Sequence, residues 1–190
     1  MFSSALESRK SLINSIGTQF DSLTSQAVSC IAKRVSNNNT LFFAGNGGSA
    51  AEAQHMSAEY LATLDHRNFR PGIKALALTV DTSFITAWTN DFGYADVYLR
   101  QLETLSSADD VLFAYSTSGN SENVIRAVRY ARENEIFTIG FTGNEGGELS
   151  SICDISFVVP SFSTALIQEV HTMLGHVICG AVEEELAKSG

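Results

Sequence analysis

Proline, tryptophan and cysteine are scarce in this 190-residue chain, with two, one and three copies. So little proline, and no low-complexity tract, leaves nothing to mark a linker. One domain over residues 1–190 without internal repeats is therefore expected. Cys30, Cys153 and Cys179 are odd in number, widely spaced and without a CxxC pair. They read as reduced, mostly buried thiols of a cytoplasmic protein. Basic residues are few as well: 12 Lys and Arg stand against 21 Asp and Glu, a net charge of −9 with no basic cluster. A protein that neutralises a phosphate backbone needs the opposite balance, so nucleic acid is excluded as a partner. The first ten residues lack a signal-peptide core. No apolar run approaches the roughly 18 residues of a membrane span, so no membrane association is expected. What is abundant is hydrophobic side chain, 44% of the chain, enough for a proper core.

The most informative stretch runs from Leu41 to Glu59. Leu41-Phe-Phe-Ala44 is short and apolar, as a buried strand would be. Gly45, Gly47 and Gly48 follow within four residues, a turn that lets backbone approach a ligand closely. Ser49 can cap the alanine-rich helix that comes next. The start of that helix, with its free N–H groups and positive dipole end, suits an anion such as phosphate. His55 and Glu59, four residues apart, share one face of it. On an ordinary exposed helix such a pair is only a weak polar contact; the glycine turn ahead of it favours a site.

Residues 1–37 show apolar side chains at steps of three and four, from Phe2 to Val35. They predict an amphipathic helical arm, with a break near Gly17. Its stripe suits a helix contact with another subunit or packing on its own domain equally well. Short strands are predicted at Ala75–Leu78, Val111–Tyr115, Phe137–Phe141 and Ile155–Val159. Helices are expected after Asp81, over Tyr94–Leu105, after Ser121 and over Thr164–Ala187. Residues 61–72 form a polar connection. Strands alternating with helices give an α/β core over 38–190, a parallel sheet covered on both faces.

The third strand exits into Ser116-Thr-Ser-Gly-Asn-Ser121, where four hydroxyls fall in six residues around a glycine. An ordinary N-capped loop explains one hydroxyl. A site that bonds phosphate oxygens through O–H and N–H groups explains all four. The turn at Thr142–Gly147 also has glycines, but Glu145 and Glu148 make it a poor phosphate site. Ligands of such sheets lie at the carboxyl ends of strands. Two loops at that edge point to one ligand held from two sides.

Gly45-Asn-Gly-Gly-Ser-Ala50 also satisfies G-x-G-x-x-A, the dinucleotide fingerprint. The acidic residue expected about 20 positions on is missing, so that reading ranks low. No Gly-Lys-[Ser/Thr] is present, which excludes a P-loop.

Four separated motifs, Ala44 to His55, Thr89 to Gly93, Ser116 to Ser121, and Ile167 to His171 with His176, together resemble the sedoheptulose 7-phosphate isomerases. These are also called phosphoheptose isomerases, of the sugar isomerase (SIS) fold family. The resemblance covers nearly the whole chain. It implies a three-layer, flavodoxin-like fold with a five-stranded parallel sheet and an N-terminal helical arm. It implies an aldose–ketose isomerisation of sedoheptulose 7-phosphate to D-glycero-D-manno-heptose 7-phosphate, in the supply of nucleotide-activated heptose. It puts Glu59 as the base and His176 as the acid. Asn46, Gly47, Gly48, Ser49, Glu59, Asn90, Asp91, Ser116, Thr117, Ser118, Ser121 and Gln168 become substrate contacts. His55, Glu59, Gln168 and His176 become metal ligands, with zinc as the ion. A homotetramer with sites at subunit contacts is implied too. Helical geometry alone does not choose between histidines: Gln168 lies about 80° from His176 and about 60° from His171. Gln168 and His176 are also separated by roughly 12 Å of helical rise. One ion reaches both only across subunits or at a frayed helix start.

Three positions depart from the family pattern: Thr63 where arginine is usual, Leu166 where Arg or Lys is usual, and Thr89 where glycine is usual. The loop after Thr63 is about two residues longer, so Arg67 or Arg70 is the candidate to replace the missing arginine. A rival reading, a non-catalytic SIS-type phosphosugar- or protein-binding regulatory module, would not need both Glu59 and His176.

Overall fold

Leu41, Phe42, Phe43 and Ala44 are all buried, because both faces of their strand are covered. The strands are β1 (Leu41–Gly45), β2 (Ala75–Ala77), β3 (Val111–Ser116), β4 (Phe137–Gly143) and β5 (Ile155–Val159). They pair in parallel in the order β2-β1-β3-β4-β5. This computed structural model describes residues 1–67 and 69–189. Asn68, within the polar connection expected over 61–72, and Gly190 lie outside the described residues.

The helices are α1 (Phe2–Ser36), α2 (Gly48–Leu61), α3 (Thr82–Phe92), α4 (Leu99–Leu105), α5 (Glu122–Glu133), α6 (Gly147–Ile152) and α7 (Thr164–Ser189). Alternation along each strand sends side chains to opposite faces. Phe43, Phe113, Phe141 and Phe157 stack in a row beneath α1, α2 and α7, with neighbouring centroids 4.5, 6.2 and 5.2 Å apart. Phe42, Ala44, Leu112 and Ala114 meet α4, α5 and α6 on the other face. The result is the three-layer architecture expected from the sequence. Strand order reverses between β1 and β3, so the loops after these two strands flank the switch point where such sheets bind ligands.

Three local expectations differ. Helix α1 runs unbroken through Gly17 for 35 residues, since one glycine costs only about 1 kcal/mol in a helix interior. From Leu12 onward it packs on the chain's own core, while Phe2 (82% exposed) and Ile13 face outward. Only Leu99–Leu105 of the stretch 94–105 is α-helical, because Tyr94 and Tyr98 are drawn to the loop after β1. The short α6 was not expected; it starts at the left-handed Gly146 and buries Leu149. Asp81 caps α3 as anticipated, accepting from the Phe84 N–H at 2.9 Å. Helix α7 is long and apolar enough to cross a membrane by composition. Here it is a core helix, packed along α1 and α2 with Ile167, Val170, Leu174, Ile178 and Val182 buried.

Candidate active site

The turn from β1 into α2 is made by Gly47, whose φ of +56° L side chains rarely adopt. Gly47 is the N-cap; Ser49, expected in that role, is buried in the first turn without a capping bond. The left-handed glycine turns the chain before the serine is reached. The N–H groups of Ser49 and Ala50 fold back on the carbonyls of Asn46 and Gly47, both at 3.0 Å. Helix α2 therefore opens on a tight turn that takes up amides an anion would have used. A Cβ at Gly48 would stand 2.5 Å from the Gln168 Nε2, so this glycine lets the Gln168 amide lie over the helix start.

Asn46 is braced. Its amide pairs reciprocally with that of Asn123, at 2.8 and 2.9 Å. The Tyr94 hydroxyl donates to Asn46 Oδ1 at 2.8 Å, and the Tyr98 hydroxyl donates to the Gly45 carbonyl. Burial raises the Tyr98 phenol far above its ordinary range, so it remains a donor. Asn123, Tyr94 and Tyr98 escaped the sequence reading because they lie 48 to 77 residues from the loop they hold. Asn90 and Asp91 pair with each other at 2.8 Å, exposed at the end of α3.

The hydroxyl-rich loop closes on itself. Ser116 Oγ donates to Ser121 Oγ at 2.9 Å and lies 3.5 Å from Ser118 Oγ, which accepts the Asn120 N–H at 3.1 Å. Ser121 occupies the N-cap position of α5, which follows directly, without a side-chain capping bond. The Thr117 carbonyl accepts the Gly143 N–H, tying the loop to the end of β4.

Helices α2 and α7 run side by side in the same direction. Gln168 lies on Gly48, Thr172 donates to Glu52 at 2.5 Å, His176 meets His55, and Thr63 donates to Glu183 at 3.2 Å. The two histidine Nε2 atoms are 2.8 Å apart, with the rings edge-on at 89°. Glu59 Oε1 lies 3.7 Å from His55 Nδ1. One ligand atom from each of His55, Glu59 and His176 falls within 4.8 Å of the others. Two imidazoles and a carboxylate form the donor set of a catalytic zinc site with an open position, so these residues fit a divalent ion. Gln168 is not brought to this triad within one chain: it sits at Gly48, about 10 Å of helical rise before His55.

His171 is elsewhere. It is 1% exposed, donates through Nε2 to the Thr142 carbonyl at 3.1 Å, and packs against Tyr115 and Phe141. Burial lowers its pKa to about 4, so it is a neutral structural histidine. Glu52, not singled out from the sequence, is buried in the seam between cradle and triad with Oε1 unpartnered, and burial raises its pKa. Of the loop arginines, Arg67 pairs with Asp65 in solvent, while Arg70 is partly buried beside Glu183.

Residues 6–143 match the SIS domain family. The chain is 46% identical over 160 residues to the phosphoheptose isomerase of Burkholderia pseudomallei, an overlap of 84% of this chain and 80% of that protein. Its fold matches a phosphoheptose isomerase structure from Neisseria gonorrhoeae with a TM-score of 0.89 at 35% identity, covering 96% of this chain and 97% of that one. For one from Francisella tularensis the values are 0.91 and 32%, with 96% of each chain covered.

Proposed function

Because the chain belongs to the SIS domain family, and within it to the phosphoheptose isomerases, we infer that it interconverts sedoheptulose 7-phosphate and D-glycero-D-manno-heptose 7-phosphate. It is a sugar-phosphate aldose–ketose isomerase of heptose biosynthesis. The observation that carries the mechanism is the convergence of His55, Glu59 and His176 in the seam between α2 and α7, about 10 Å or more of helical rise beyond the loop after β1. Glu59 takes the C1 proton of the ketose, the electron pair forms the enediol(ate), and protonation at C2 gives the aldose. His176 moves the proton between the two oxygens. A zinc ion held by His55, Glu59 and His176 would polarise the carbonyl as a Lewis acid. Incubating purified protein with a panel of ketose phosphates, with and without chelator, tests this directly. Turnover of sedoheptulose 7-phosphate is expected; none for any sugar leaves the regulatory-module reading standing.

The phosphate is assigned to Ser116, Thr117, Ser118 and Ser121 at the start of α5. The tight turn opening α2 favours this loop over the first, which is left to Asn46, Gly47, Gly48 and Ser49 as sugar contacts. No Lys or Arg lies in the loop, so neutral hydroxyls and N–H groups carry the binding. Changing Ser118 and Ser121 together to Ala should raise KM with little change in kcat, if those contacts are equal in ground and transition states. Unchanged KM would put the phosphate elsewhere.

A homotetramer with sites at subunit contacts is part of the same reading. On helix α3, Phe92 is exposed, while Phe84, Ile85 and Trp88 are only partly buried against the core. Phe2 and Leu6 at the start of α1 are exposed as well. An assembly would also allow Gln168, Asn90 and Asp91 to serve a neighbour's site. Light scattering at micromolar concentration should return four chain masses, and a monomer mass would rule the shared sites out. The three cysteines are free thiols, in keeping with a cytoplasmic enzyme.

A further inference from the structure

Arg70 leaves the polar connection after α2 and turns inward, its side chain only 12% exposed. Its Nε donates to Glu183 Oε1 on α7 at 2.8 Å. Its Nη1 donates to the Tyr60 carbonyl at 2.9 Å and the Pro71 carbonyl at 3.1 Å, and its Nη2 to the Glu59 carbonyl at 3.1 Å. Glu183 Oε1 also accepts the Leu64 N–H at 2.9 Å and the Thr63 hydroxyl. One largely enclosed ion pair thus ties together the end of α2, the loop after it and α7.

Two of the carbonyls that Arg70 takes, those of Glu59 and Tyr60, are in the last turn of α2, where the helix has no partners of its own for them and its dipole is negative; the Tyr60 carbonyl also accepts the Ile73 N–H at 3.1 Å, whereas that of Glu59 accepts from Arg70. Glu59 stands in that turn. A last turn left to water frays, and the side chains it carries lose their fixed aim. The planar guanidinium reaches two successive carbonyls and a carboxylate at once, which a lysine ammonium on a flexible stem does less well. Arg67, also in this loop, binds Asp65 at the surface.

We infer that Arg70 is a positioning residue for Glu59: anchored by Glu183, it caps the last turn of α2 and fixes the carboxylate against His55 and His176. This rests on Glu59 being the base. It gives the loop arginine a structural handle on the reaction rather than a contact with the sugar.

Two variants test it, beside wild type and Glu59→Gln. Arg70→Lys keeps a counter-charge for Glu183. The double variant Arg70→Met/Glu183→Gln removes the pair without stranding a buried charge. Each is assayed with sedoheptulose 7-phosphate well below its melting temperature. For the double variant kcat should fall about tenfold, the scale expected from misplacing a reacting group by a fraction of an ångström, with KM within about twofold. Amide hydrogen exchange of residues 59–62 should quicken. Arg70→Lys should lie between, and it carries the test if the double variant does not fold. A purely structural role would lower the melting temperature and leave kcat of the folded protein unchanged, and that result overturns the inference. Wild type without turnover, or Glu59→Gln turning over at the wild-type rate, would instead remove the assignment of the base, and this inference with it.

Discussion

Glu59→Gln is expected to lower kcat by roughly a hundredfold or more, the scale of losing a positioned general base. Glutamine keeps the size of the side chain and an oxygen to place beside His55, so the helix and the triad's shape are retained. What is lost is the ability to accept a proton from carbon. Exchange of solvent deuterium into C1 or C2 of the sugar reads that step alone, because label enters only if abstraction occurs. The variant should show no wash-in. His176→Gln should also be severely impaired, and the two losses should not multiply if both residues serve one step. Wild-type exchange in Glu59→Gln would reduce Glu59 to a structural or metal-holding group and defeat the mechanism.

The parts of this site that could be read from the sequence are local ones. Leu41 to Glu59 announces strand, turn and helix in order, because burial on both faces, a forced left-handed Gly47 and a four-residue step are properties of neighbouring residues. The sheet followed in the same way from alternating short elements. The choice between His171 and His176 did not follow, since both lie within a helical face of Gln168. The two part on opposite sides of the helix: Tyr115 and Phe141 receive His171 into the core, and α2 presents His55 to His176. The Asn46–Asn123 pair, the Tyr98 bond to Gly45 and the Glu52–Thr172 contact join residues 53 to 120 apart. No periodicity encodes such contacts. Tyr94 and Tyr98 even carried a helical pattern, which their bonds to the β1 loop override.

His55 is the position from which the second large effect is expected. In the proposed mechanism it moves no proton, so its substitution separates holding an ion from doing the chemistry. The His55 and His176 Nε2 atoms stand 2.8 Å apart. That is a hydrogen-bond separation, with one ring donating to the other; a tetrahedral zinc, with bonds of about 2.0–2.1 Å, would hold the two nitrogens about 3.3 Å apart, so the rings would part slightly around an ion. If the occupant is zinc, adding the ion at about a hundredfold excess over Kd should stabilise the folded chain by about 2.7 kcal/mol. For a chain of this length that raises Tm by roughly 5–10 °C. Chelator should reverse the rise and remove most of the activity of the wild-type enzyme. His55→Ala breaks the donor set while leaving Glu59 and His176 in place; it should show no zinc-dependent rise in Tm and retain no more than about a hundredth of the wild-type kcat, the scale of losing electrostatic stabilisation of the developing charge. Should zinc leave the Tm of the wild-type protein unmoved, with chelator harmless to turnover, the pair is a shared-proton contact between two histidines. Isomerisation would then rest on Glu59 and His176 acting on the sugar without an ion.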